Sequence, residues 1–162
     1  MPVIERTIEI NAPIDRVFEF ITDISNHPRV SPPETNERII DAGEVPMRLG
    51  TVVKLRARYG GFNWELSSQI TAFDQPDPGC PQSAYFRDEQ VSGPFKRWQH
   101  DHLFESTLPG VTRLTDRFTY SAPLGLLGKV AEWLWLNRRL HRLMEHLQTQ
   151  QKRLIEGLIG GS

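Results

Sequence analysis

The sequence has few of the features that mark membrane, disulfide-bonded or nucleic-acid-binding proteins. Cys80 is the single cysteine among 162 residues, so no internal disulfide can form and a cytoplasmic location is expected. No uncharged apolar run approaches about 18 residues, and residues 1–6 show no apolar signal segment, so we expect neither a transmembrane helix nor a signal peptide. The formal net charge of −1 gives no field that would attract nucleic acid.

The pattern of apolar residues near the start of the chain predicts a strand followed by two short helices. Residues 3–10 alternate between apolar and polar side chains, which is typical of a strand with one buried face. Apolar residues then recur at helical spacing over residues 14–21. A second helical turn is predicted around residues 24–27 and is expected to stop at Pro28.

The middle of the chain predicts six further strands, and the last quarter predicts one long helix. Glycines and prolines between the apolar runs indicate short turns, which force antiparallel pairing of neighbouring strands. From about residue 126 the apolar spacing becomes helical, and about 30 residues would give about 45 Å of helix. The six strands are expected near residues 36–43, 51–59, 62–73, 83–91, 95–105 and 112–121.

Together these elements predict an α+β fold in which a seven-stranded curved antiparallel sheet wraps around the long C-terminal helix. A long meander of strands twists and coils, and only the sheet is wide enough to cover the apolar stripe of the helix. One domain is expected over residues 1–158, with a flexible tail at 159–162. A curved sheet seldom packs solidly against one helix, so an apolar cavity is predicted between them.

Three segments of the sequence resemble segments of a known superfamily. They are residues 8–23 (IEINAPIDRVFEFITD), residues 93–105 (GPFKRWQHDHLFE) and residues 116–120 (DRFTY), the last followed by PLG. The superfamily is the START-like or Bet v 1-like superfamily, also called polyketide cyclase/dehydrase or SRPBCC, in a bacterial branch. The resemblance covers nearly the whole chain and implies the helix-grip fold. It implies a hydrophobic ligand without choosing between carriage and catalysis, because the superfamily includes lipid carriers, hormone receptors and aromatic cyclases.

The alternation of aromatic residues identifies the strand face that should point into the cavity. On the last three strands the even-numbered positions carry the aromatics, and side chains on one face recur every second residue. The same face therefore carries several polar groups. The expected ligand-binding residues come from these three strands, from one earlier strand and from the long helix. They are Trp64, Phe86, Asp88, Gln90, Trp98, His100, His102, Phe118, Tyr120, Trp133 and Leu140.

The positions of the turns predict how these strands pair. The turn between the last two strands places His102 opposite Asp116. The turn before it, centred on Gly93, places Asp88 opposite Trp98. Directly paired side chains have Cβ atoms about 5 Å apart, so we expect the first pair to lie within hydrogen-bond reach.

The set formed by His100, His102 and Asp116 has three interpretations. It is a buried pair that fixes strand register, or a polar contact to a carbonyl or hydroxyl of a mostly apolar guest, or a site of chemistry. In the third case an Asp-oriented histidine could act as a general base, or His-x-His with a carboxylate could bind a metal. We expect neither a metal nor a cofactor.

The leading functional hypothesis is a module that binds or carries a hydrophobic small molecule such as a lipid, an isoprenoid or an aromatic polyketide. The alternatives are a cyclase or dehydratase that uses the candidate catalytic residues His100, His102 and Asp116, and a protein-interaction accessory module. We expect no nucleic-acid partner, and a monomer or homodimer. Arginines at 138, 139 and 142 could make weak contact with a membrane surface.

Overall fold

The structure is a computed structural model that describes residues 2–59, 62–121 and 137–160. Its helices and strands follow one another in the predicted order, with 3-10 turns at Ile24–Asn26 and Pro33–Thr35 beside the short helices. The elements are β1 (Val3–Ile10), α1 (Ile14–Thr22), α2 (His27–Val30), β2 (Arg38–Asp41), β3 (Val52–Tyr59), β4 (Phe62–Asp74), β5 (Ser83–Ser92), β6 (Arg97–Leu108), β7 (Val111–Ser121) and α3, described over Asn137–Gly160.

All seven strands form one antiparallel sheet, and the long helix α3 packs against it. The strand order is β1-β7-β6-β5-β4-β3-β2, so each strand from β2 to β7 lies beside its neighbour in sequence and β1 closes the far edge against β7. The prediction of a helix-grip α+β fold is therefore confirmed. No helix in the described ranges is long and apolar enough to cross a membrane.

The short helices differ from the prediction at one proline. The 3-10 turn at Ile24–Asn26 leads directly into α2, and Pro28 lies in the first turn of that helix. A proline there lacks only an N–H group that no carbonyl of the helix would accept. Pro28 therefore lies inside the start of a helix and does not stop one.

The end of α3 also differs from the prediction. The helix continues to Gly160, so residues 159 and 160 are helical and do not belong to the expected tail. Gly157 does not end the helix, because a glycine in a helix interior costs only about 1 kcal/mol relative to alanine. The predicted start of this helix near residue 126 lies outside the described residues.

Two apolar clusters form the core. The larger one joins α1 to the sheet, and Phe18 contacts the rings of Phe73 and Phe104 edge-on at centroid distances of 5.4 and 5.2 Å. Such aromatic pairs add about 0.5–1.5 kcal/mol to the energy of burial. The smaller cluster joins the other end of the sheet to α3 and consists of Ile4, Trp98, Phe118, Tyr120, Leu140 and Met144.

The strand register agrees with one of the two predicted pairings. His102 lies directly opposite Asp116, as predicted. The predicted pairing of Asp88 with Trp98 is wrong, since Asp88 pairs with His100. The turn between β5 and β6 is centred on the residue after Gly93, which shifts the register by two positions and keeps every side chain on its predicted face.

The loop between β2 and β3 depends on a glycine. Gly43 has a φ of 60°, and a Cβ atom there would lie 2.5 Å from the carbonyl oxygen of Val52. Gly110 has a φ of 75°, but a Cβ atom would meet nothing within 4 Å. Both glycines have a left-handed backbone conformation, but only at Gly43 would an added Cβ atom also clash.

We expect Gly43→Ala to lower the free energy of unfolding by more than Gly110→Ala does. The second change should cost only the left-handed strain of a non-glycine residue, about 1–2 kcal/mol. The first should add the cost of displacing the backbone at Val52. Urea unfolding of both variants measures the difference, and equal losses would contradict the steric argument.

Candidate functional site

A cavity of about 590 Å³ lies between the sheet and α3. This volume is within the range of pockets that bind small molecules, which are mostly apolar with a few placed polar groups. Side chains from α1, the 3-10 turn at Ile24–Asn26, α2, β3 to β7 and α3 line it, among them Ile24, Ile70, Leu143 and Met144. Met47 closes one side from the loop between β2 and β3, where its N–H donates a 2.8 Å hydrogen bond to Thr22 O.

One wall of the cavity consists of paired residues on β3 and β4. The pairs are Val53 with Ser68, Leu55 with Leu66, and Ala57 with Trp64. The aromatic residues at the far end of this wall are partly in solvent, since Trp64 is 42% exposed and Phe62 is 71% exposed. These two rings therefore border both the cavity and the surrounding water.

Four ionisable side chains line the cavity from three adjacent strands. Asp88 lies on β5, His100 and His102 lie on β6, and Asp116 lies on β7. All have even numbers, so they share one face of the sheet with the apolar lining. Their side chains are 6% to 15% exposed. We call these four residues the His/Asp cluster.

The carboxylate of Asp116 is the centre of the His/Asp cluster. Its Oδ1 lies 3.1 Å from His100 Nε2 and 2.7 Å from His102 Nδ1, although the second contact is not aligned as a hydrogen bond. Its Oδ2 accepts a 2.7 Å hydrogen bond from Nε2 of Gln148 on α3, which also donates to Arg6 O at 3.0 Å. The sheet and the helix therefore meet at one buried carboxylate.

Asp88 faces the opposite side of both imidazole rings. Its Oδ2 lies 3.6 Å from His100 Nδ1 and 3.6 Å from His102 Nε2, longer than a hydrogen bond. The rings are held in place by stacking, His100 on Phe118 at 3.7 Å and His102 on Phe86 at 4.1 Å between centroids. Each histidine thus presents one nitrogen to each aspartate.

The charges of the His/Asp cluster follow from this arrangement. Burial alone would lower the pKa of His102, but the charge and hydrogen bonding of Asp116 and Asp88 together outweigh burial and raise that pKa to about 9. Burial lowers the pKa of His100, and the nearby charge of His102 lowers it further. Burial would raise the pKa of both aspartates, but the histidines hold each below its usual value. At neutral pH one positive and two negative charges remain, a net charge of −1.

A second ionisable pair lines the cavity near α2. Nδ1 of His27 is in short contact with Oε1 of Glu37, which also accepts a 3.0 Å hydrogen bond from Ser31 Oγ. Burial would lower the pKa of His27, but the charge of Glu37 raises it overall. Burial would raise the pKa of Glu37, but the charge of His27 lowers it overall. The pair joins the start of α2 to the residue just before β2 and follows no periodic pattern, so sequence analysis did not find it.

Most of the predicted ligand-binding residues line the cavity. Two of them contact other groups, and one, Trp133, lies outside the described residues. The side chain of Gln90 bridges the turn between β5 and β6, with Nε2 donating to Phe95 O at 2.7 Å and Oε1 accepting from Phe95 N at 3.3 Å. Tyr120 is fully buried beside Phe95 in the smaller apolar cluster. The predicted ligand-binding residues that do line the cavity are Trp64, Phe86, Asp88, Trp98, His100, His102, Phe118 and Leu140.

Sequence analysis also missed two glutamines on α3. Gln148 and Gln151 are 0% and 8% exposed, and each lies four residues after an apolar residue of the buried stripe, Met144 and Leu147. A polar side chain on the buried stripe of a helix is a signal that it has a polar partner inside. Arg139, one of the three arginines considered for weak contact with a membrane surface, lines the cavity.

A seven-stranded sheet that grips one helix around an apolar cavity with buried ionisable groups defines a helix-grip protein with a ligand-binding fold. The chain belongs to the family described as polyketide cyclase / dehydrase and lipid transport, which it matches over residues 1–152. No curated protein matches the sequence.

Solved structures with the same fold come from several bacteria. A Thermus thermophilus protein has a TM-score of 0.76 at 16% identity and covers 99% of this chain and 100% of its own. A START superfamily protein from Mycobacterium smegmatis has a TM-score of 0.66 at 16% identity, covering 96% and 98%. The Zhui aromatase/cyclase from a Streptomyces species has a TM-score of 0.63 at 16% identity, covering 94% and 95%. At these identities the similarity shows a shared fold.

We expect Gln148→Met to lower the free energy of unfolding by about 1–3 kcal/mol, the cost of leaving buried acceptors without a donor. The acceptors are the carboxylate of Asp116 and the carbonyl of Arg6. Gln151→Met is the matched control, because Gln151 is also buried on α3, whereas the hydrogen bonds to Asp116 and Arg6 come from Nε2 of Gln148. Thermal and urea unfolding measure both variants, and an equal effect would show that Gln148 does not hold the carboxylate.

The stability supplied by His27 and Glu37 should depend on pH. The raised pKa of His27 stabilises the fold below its ordinary value of 6.5, and this is lost as pH rises through the folded pKa. The lowered pKa of Glu37 stabilises it above its ordinary value of 4.5, and this is lost as pH falls. Glu37→Gln should therefore destabilise the protein most between pH 4.5 and 6.5.

Urea unfolding of wild type and Glu37→Gln at a series of pH values checks this expectation. Glu34→Gln is the control, because Glu34 is exposed in the neighbouring 3-10 turn and its change should cost less than about 0.5 kcal/mol. A loss for Glu37→Gln that stays constant across pH would contradict the ion-pair account.

Proposed function

We propose that the protein binds and carries a hydrophobic small molecule in the cavity between the sheet and α3. The observation that supports this proposal is a largely apolar cavity of about 590 Å³ whose wall includes the compact His/Asp cluster. Burial of apolar ligand surface contributes about 25 cal/mol per Å². A lipid, an isoprenoid or an aromatic polyketide has the necessary chemistry, and membership of a cyclase and lipid-transport family supports that class.

The charge of the His/Asp cluster restricts the polar end of the ligand. Asp88 and Asp116 are both ionised beside a single imidazolium, so a buried carboxylate on the ligand would meet net negative charge. A hydroxyl, carbonyl or amine avoids this repulsion. The neutral ring of His100 offers such a group a hydrogen-bond partner.

The first expected outcome concerns ligand chemistry. In chelator-treated protein, lauryl alcohol should displace the neutral fluorescent probe Nile red at a lower concentration than laurate does. The two competitors share their chain length and differ in the charge of the polar end. Displacement titrations measure both, and a preference for laurate would contradict the role given to the His/Asp cluster.

The second expected outcome concerns the place of binding. Ser68→Trp should fill the cavity between β3 and β4 and strongly weaken Nile red binding. Ser67→Trp is the matched control, because its side chain lies on the opposite face beside Lys54. Native mass spectrometry before and after organic extraction then identifies any co-purified ligand. Equal binding by the two variants would place the probe elsewhere.

A second candidate function, an enzyme of the cyclase or dehydratase type, is favoured by His100. This imidazole has a lowered pKa and lies 3.1 Å from the carboxylate of Asp116, an arrangement that suits a general base. The base would remove a proton from the carbon next to a ligand carbonyl. Catalysis of this step would require the ligand carbonyl to lie against the same wall.

The enzymatic candidate is tested by proton exchange. In deuterated buffer the wild type should speed deuterium uptake next to the carbonyl of β-tetralone, as followed by mass spectrometry. His100→Gln should abolish the acceleration and leave Nile red affinity near that of wild type. A deuterium exchange rate equal to that in buffer alone would contradict the enzymatic candidate.

A further inference from the structure

We propose that Asp88, His100 and His102 bind one divalent transition-metal ion of the kind that prefers imidazole ligands, such as zinc. The ion would lie at the cavity wall, between strands β5 and β6. The proposal concerns the protein without a guest molecule, so it does not rest on the function proposed above. It departs from the expectation of no metal, which was formed with Asp88 placed opposite Trp98.

The positions of the donor atoms carry the proposal. One donor atom of each of the three side chains lies within 4.8 Å of the others. Oδ2 of Asp88 is 3.6 Å from His100 Nδ1 and equally far from His102 Nε2. Zinc lies about 2.0–2.2 Å from imidazole nitrogen and carboxylate oxygen, so donors bound to one tetrahedral ion are about 3–4 Å apart. The observed separations are too long for hydrogen bonds and suit a shared ion.

Asp116 would accept hydrogen bonds from the ring nitrogens that do not bind the metal, and a carboxylate in this position orients metal-binding histidines. Its Oδ1 lies 3.1 Å from His100 Nε2 and 2.7 Å from His102 Nδ1, the nitrogens that face away from Asp88. A proton on each of these nitrogens leaves the lone pairs of the opposite nitrogens directed at Asp88. Gln148 holds this carboxylate from the helix at 2.7 Å.

The charge balance also favours a divalent ion. The ion would displace the proton of His102, and Asp88 and Asp116 with two neutral imidazoles then carry a charge of −2, which one divalent ion neutralises. Buried charges are costly unless they are paired or coordinate metals. Stacking of the rings on Phe86 and Phe118 fixes their planes, which reduces the reorganisation needed on binding.

Three protein ligands would leave one coordination position open toward the cavity. The ligand residues line the same wall as the apolar side chains that surround the cavity. Catalytic and substrate-binding zinc sites have three protein ligands and an open position for water or a substrate oxygen. The metal would therefore add a site for the oxygen of a hydroxyl, carbonyl or carboxylate.

The test uses untagged, chelator-treated full-length protein and zinc alone. Isothermal titration calorimetry with a competing chelating dye should show one zinc per chain. His100→Gln and Asp88→Asn should remove this binding, and Asp116→Asn should weaken it by about 10- to 100-fold, as loss of an outer-shell carboxylate does. His141→Gln is the matched control, because His141 is exposed on α3 and should leave the affinity unchanged.

A second measurement keeps the proposal testable if a variant does not fold. Cobalt(II) added to wild type should give the intense visible bands of a four-coordinate site, and zinc should abolish them. Circular dichroism of each variant separates loss of the site from loss of the fold. Absence of the bands, absence of stoichiometric zinc binding, or equal affinity in His100→Gln and His141→Gln would each overturn the proposal.

Discussion

The buried carboxylate of Asp116 is the interaction on which the interior of this protein depends. It joins β7 to both histidines of β6 and, through Gln148, to the helix that the sheet grips. A buried carboxylate without these partners would cost several kcal/mol, so the partners must be present together. The helix is therefore positioned against the sheet by a polar contact as well as by apolar packing.

This contact lies between two apolar clusters, which explains how a cavity persists in a folded core. Along β6 the histidines lie between Trp98 of the smaller cluster and Phe104 of the larger one. The larger cluster packs α1 and part of α3 against the sheet, the smaller one packs another part of α3, and the polar groups lie between them. The free energy of folding comes from the clusters, so the cavity between them need not be filled.

The same four side chains connect the functions considered for this protein. An apolar ligand with a neutral polar end, a proton transfer and a metal ion would each use the His/Asp cluster, because it brings four ionisable side chains together on a largely apolar wall. The three functions differ in which imidazole nitrogen is protonated and in which group lies beside Asp88. Carriage requires only hydrogen bonds from the cluster, catalysis requires a neutral His100, and a metal requires lone pairs on both rings.

The sequence by itself determined the order of the elements, the face of each strand and the pairing of His102 with Asp116, because alternation and turn positions are local properties. It could not determine the partner of Asp88, since moving the centre of a turn by one residue moves the register by two positions without changing any side-chain pattern. Nor could it reveal the His27–Glu37 pair, whose residues meet through loops. Gln148 was visible as a polar residue on an apolar stripe, but its partner was decided by the depth at which the helix settles in the sheet. Tertiary structure therefore decided how the predicted groups combine into one site.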